Sequence, residues 1–194
     1  PGALSAEYLD LVKWSKSGKL NDARKAGVNL AKKSNHNNIL ICGSIQKMSE
    51  DVIKGYLLRR YEFSDYKNIK NTGTESVTLM LKRPKDFAKS LSEIKAQVDG
   101  VFFTRNLVNE PANILSTVEF SKRLKKLSDL GVSVEILEEK KLEELGMNAL
   151  LGVGQGSANP SKVVVMSWKG ASESIKPLVL VGKGVVSVSY THLR

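Results

Sequence analysis

The sequence predicts an α/β protein built in two parts. Three observations carry that expectation. Helical and strand-like hydrophobic periods alternate over residues 19–82. An unbroken helical period then runs over residues 85–111 and stops at Pro111. After it the alternation restarts behind a helix-capping signal at Ser116.

Taken in order, the first element is "KLNDARKAGVNLAKKS" (19–34), where Ala23, Ala26, Leu30 and Ala31 recur at helical spacing. "NNILICG" (37–43) is a short apolar run bounded by Asn and Gly, the pattern of a strand. "KMSEDVIKGYLLRRYEF" (47–63) returns to helical spacing, with Ser49 as the expected N-cap and Val52, Ile53, Tyr56 and Leu57 on one face. "ESVTLMLK" (75–82) alternates Val77, Leu79 and Leu81 like a half-buried strand, and Pro84 ends it. The long helix that follows carries Phe87, Leu91, Ile94, Val98 and either Val101 or Phe102 on its apolar face.

The second part opens with Ser116-Thr117-Val118-Glu119, a capping-box match, in a helix expected to close on Gly131. "VSVEILE" (132–138) alternates like a strand. "EKKLEELGMNALLGVGQGS" is expected to give a short helix and then a glycine-rich loop. "KVVVMSWKG" (162–170) and "PLVLVGKG" (177–184) are continuous apolar runs, expected to be strands covered on both faces.

Composition bounds what such a chain does. It has 194 residues, 41% hydrophobic and 26% charged, which suits one or two globular domains. No apolar run approaches the roughly 20 residues that span a bilayer. The N-terminus "PGALSAEYLDLVKW" shows no basic region ahead of an apolar core, so no secretory signal is expected. It lacks an initiator methionine, so sequence is expected upstream of Pro1. Cys42 is the single cysteine, which rules out an internal disulfide and fits a reducing, cytoplasmic setting; inside "NILICG" it is expected to be a buried small hydrophobe. Thirty basic against 20 acidic residues give a net charge of +10, which favours contact with polyanions. The lysines are scattered, however, and the densest runs, "ARKAGVNLAKKSNHNN" and "KRLKKLSDL", read as solvated helix faces.

The glycines of "GVGQGSANPSK" (152–162) do not make a nucleotide loop. G-x-G-x-x-G requires glycine where Ser157 stands, a P-loop requires lysine after Gly156, and phosphate loops open a helix whereas this one precedes a strand. Tight turns explain them. His36 in "SNHNN" reads as a solvated turn residue, and neither it nor His192 has a second ligand at metal-binding spacing.

"TRNLVNEPAN" (104–113), "GMNALLGVGQGSANPSKVVVMSWKG" (146–170) and "LVLVGKGV" (178–185) stand in the order and approximate spacing of one family. The chain resembles the leucyl aminopeptidases, cytosolic two-metal exopeptidases that form homo-hexamers. Agreement is weaker at "GYLLRRYEFSDYK" (55–67), where the family has a similar tyrosine-bearing helix end. The resemblance implies a macro-like N-terminal α/β domain (1–84), a long connecting helix (85–108) and the first strands and helices of an incomplete α/β catalytic domain (109–186). It implies peptide substrates, hydrolysis preferring apolar N-terminal residues, and two divalent ions, manganese or zinc.

In that family the lysine of "LVGKG" binds one of the metals, and Lys183 matches it. An amine must be neutral to donate its lone pair, and a neighbouring cation disfavours the ammonium form. No catalytic residue and no other cofactor-binding residue is assigned. The family continues with Phe-Asp and two glycines, where this chain has "SVSYTHLR" (187–194). That segment resembles read-through of a sequencing-library adapter and is expected to be a non-native tail. The adjacent aspartate ligand, a second lysine, later carboxylates and an arginine of the family are not represented. The expectation is therefore an N-terminal portion of such an enzyme, inactive alone and not holding the metals itself. A nucleotide- or DNA-binding macro-like module is the alternative, and no membrane association is expected.

Overall fold

Helix α1 spans Leu20–Lys33 and β1 spans Asn38–Gly43. Helix α2 (Gln46–Arg59) and β2 (Ser76–Leu81) follow, then α3 (Pro84–Asn109). The computed structural model describes residues 20–34, 38–43, 46–68, 76–81, 83–172 and 174–186; His36, His192 and the tail 187–194 lie outside them. The chain divides into two compact units, Pro1–Val108 and Asn109–Arg194. Mixed helix and strand confirm the α/β class.

In the first unit the expected apolar faces become the core. Ala23, Ala26, Leu30 and Ala31 of α1 are buried, as are Val52, Ile53 and Tyr56 of α2. Asp22 in the first turn of α1 and Lys32 and Lys33 in its last complement the helix dipole. The two helices cross at glycines: a Cβ on Gly27 would lie 1.9 Å from the Val52 carbonyl oxygen, and one on Gly55 would lie 2.1 Å from that of Arg24. Backbone oxygens fixed in a helix cannot yield, so this crossing requires residues without Cβ. Arg24 and Asp51 add an ion pair at 2.7 Å.

Strands β1 and β2 pair in parallel, with α2 as the crossover between them. The register sets Ile39 beside Val77 and Ile41 beside Leu79. Those four residues pack under the helices, together with Leu30, Tyr56 and Ile53. Phe87, Ile94 and Val98 of α3 join Ile53 in one buried cluster. Full burial of a side chain such as Phe87 stabilises by roughly 1.5–3 kcal/mol relative to exposure. At the next turn Phe102 rather than Val101 faces inward; Val101 is exposed.

Two expectations fail in this unit. Cys42 is exposed, not buried. It belongs to the opposite face of the sheet, paired with Met80 and close to the exposed Leu40. The described helices pack on the Ile39–Ile41 side, and Leu40 and Met80 on the other face are exposed. Ser49 is not an N-cap either. Helix α2 begins at Gln46, so Ser49 lies inside it, buried.

The second unit begins with the turn at 110–116 and α4 (Thr117–Lys125), which passes into a 3₁₀ turn over Lys126–Leu130. Ser116 caps α4 as its sequence requires: its hydroxyl oxygen accepts the Glu119 backbone N–H at 3.2 Å. Gly131 ends the segment with φ at 87°. Strand β3 (Ser133–Leu137), α5 (Glu139–Glu144), α6 (Asn148–Gly154) and β4 (Val163–Ser167) complete the regular elements. Leu115, Val134 and Leu142 are buried in this unit, Leu142 completely.

Its sheet departs from the sequence reading. Strand β4 pairs antiparallel with β3, Val134 beside Met166 and Ile136 beside Val164. Val163 and Val164 are half-buried, while Val165 and Met166 are exposed, so β4 is not a strand covered on both faces. Residues 177–184 form no strand at all. Leu178, Val179, Leu180 and Val181 are 86%, 71%, 86% and 94% exposed. A strand exists only with a hydrogen-bonded neighbour, and no described strand pairs with this run. The expected glycine loop is also shorter, because α6 takes in Gly152 and Gly154. The single expected helix there is two, broken at Gly146, whose φ is 69°.

Candidate functional site

The residues that carry the family pattern fall in three places. The first, 104–113, spans the boundary between the units, and each side uses its own part. Within the first unit, Asn106 accepts the Tyr61 hydroxyl at 2.8 Å, and the Arg105 guanidinium lies 3.9 Å from the Tyr61 ring centroid. Phe102 meets the same ring edge-on at 5.1 Å. These contacts tie the tyrosine-bearing segment after α2 to the last turns of α3.

Within the second unit, Glu110 is 4% exposed and accepts Arg123 Nη1 at 2.7 Å. Arg123 also donates through Nε to Glu119 at 3.0 Å, an i,i+4 pair along α4. Hydrogen bonds from the guanidinium to Glu110, then to Glu119, hold the Arg123 pKa above its ordinary value. A charge-assisted network of this kind fixes the turn 110–116 against α4.

The second place is the loop 155–162. Thr117 donates its hydroxyl to the Pro160 carbonyl at 2.8 Å, and the Ser161 N–H donates to Glu139 at 2.7 Å. Lys162 pairs with Glu138. Asn159 N–H donates to the Ser157 hydroxyl oxygen at 3.0 Å. The loop is pinned to α4 and α5 through its backbone, and no helix starts from it. That geometry fits the turn reading of its glycines.

The third place is Lys183. It is exposed, on an extended segment without regular structure. The following residue, Gly184, lies so close to α4 that a Cβ on it would come 2.8 Å from Phe120 Cε1. Val186 is half-buried. The structure does not gather a donor set around Lys183: among the described residues there is no group of three or more His, Cys, Asp or Glu able to hold a metal ion. One amine is a single ligand, and a two-metal centre needs several. The donors among the described residues therefore do not fit that centre, and no reaction step is derived through it.

Sequence reasoning did not find the Glu110–Arg123 pair. Thirteen positions separate the partners, and only the i,i+4 relation of Glu119 to Arg123 was available as a signal. Among the described residues, no helix is long and apolar enough to cross a membrane.

Comparison with known proteins follows the same stretch. Residues 102–189 match the catalytic domain of the cytosol aminopeptidase family. The probable cytosol aminopeptidase of Cereibacter sphaeroides is 46% identical over 187 residues, and that of Dinoroseobacter shibae is 41% identical over 186. Each alignment covers 96% of this chain and 38% of the relative, so the chain spans well under half the length of these relatives. The probable cytosol aminopeptidase of Phytoplasma australiense is 48% identical over 134 residues, 68% of this chain and 27% of the relative. Among solved structures, the bottromycin maturation enzyme BotP in complex with Mn superposes with a TM-score of 0.67 over 79% of this chain and 34% of its own. Its sequence is 22% identical, so the likeness is one of fold. Residues 102–189 thus match the cytosol aminopeptidase catalytic domain, and nearly the whole chain is similar to proteins named probable cytosol aminopeptidases.

Proposed function

We propose that this chain is the N-terminal portion of a metal-dependent leucyl-type aminopeptidase. The whole protein would release N-terminal, preferably apolar, residues from peptides, in the cytoplasm and as a homo-hexamer with two manganese or zinc ions per active site. The observation that supports the reading is the family match over 102–189, a range that includes Lys183. Residues 1–84 would form the macro-like domain, 85–108 the connecting helix and 109–186 the start of the catalytic domain, with 187–194 a non-native tail.

On this reading the 194-residue chain contributes one metal ligand and the frame that carries it. It should not hydrolyse a leucyl chromogenic substrate, with or without added manganese or zinc. Chelator-sensitive turnover that co-purifies with the chain would overturn that expectation. In the full-length protein, Lys183→Ala should lose most activity and weaken manganese binding in a calorimetric titration while leaving the fold intact. Unchanged metal affinity would remove Lys183 from the ligand set.

A further inference from the structure

We draw no further inference here: the strongest candidate, the open face of the β1–β2 sheet where Leu40 and Met80 stand exposed beside the Cys42 thiol, carries nothing, because nothing among the described residues shows what covers it.

Discussion

The first unit covers one face of its sheet with helices, whereas the second leaves a continuous apolar run in solvent. In residues 20–108 the crossing of α1 and α2 and the long α3 enclose Ile53, Tyr56, Phe87, Ile94 and Val98. In residues 109–186 the described apolar core consists of Leu115, Val134 and Leu142, and Leu178 to Val181 stand exposed. The difference follows from how each element satisfies its backbone. A helix pairs its own N–H and C=O groups and needs only a surface to pack on. A strand needs a neighbour for both hydrogen bonds and side chains. The same apolar content therefore yields a closed core where helices carry it and an open edge where an extended segment does.

Three substitutions sharpen that contrast, each read by urea-dependent hydrogen exchange resolved to peptides. Gly27→Ala should act most strongly. Its Cβ would meet the Val52 carbonyl oxygen at 1.9 Å, so α1 and α2 must separate. The expected cost is about 3 kcal/mol or more in the first unit, at the upper end for overpacking, with the second unit unchanged. A cost below about 1 kcal/mol would show that the helices do not need that crossing.

Leu142→Ala should destabilise the second unit by about 2–5 kcal/mol, since the side chain is fully buried on α5. The first unit should not respond. Equal loss in both would remove the division into two cores.

Arg123→Ala should come next, at roughly 2–3 kcal/mol in the second unit. It leaves the Glu110 carboxylate, 4% exposed, without its guanidinium. The estimate sits below the ~3–5 kcal/mol of a fully buried pair because Arg123 is itself 24% exposed. The raised Arg123 pKa means its contribution is complete below the ordinary arginine range and is lost only as pH climbs through the raised value. The effect of Arg123→Ala should therefore be the same at pH 7 and pH 9. A marked fall between the two would contradict this pairing.

Legibility in the sequence follows the same physical line. Ala23, Ala26, Leu30 and Ala31 announce α1 because helical periodicity is a local property. The alternation Val77, Leu79, Leu81 announces β2 for a similar reason. The Ser116 cap and Gly131 stop were legible because capping chemistry is local as well. What failed depended on distant partners. The apolar run at 177–184 reads as a strand, but no described strand pairs with it. Cys42 reads as buried because a single run does not say how many faces of its sheet are covered. At the candidate site, Lys183 was identified through family resemblance alone. The brace at Glu110 and the approach of Gly184 to Phe120 join residues far apart in sequence, and no spacing rule marks them.

The contrast between the helix-covered core of the first unit and the exposed segment in the second can be measured directly. Native-state hydrogen exchange read by mass spectrometry should show the amides of 87–105 among the slowest in the chain and those of 178–182 exchanged at the earliest time point. Peptides from β3 and β4 should fall between them. If 178–182 are protected to the same degree as 87–105, the segment has a hydrogen-bonded partner and the contrast between the two units is wrong.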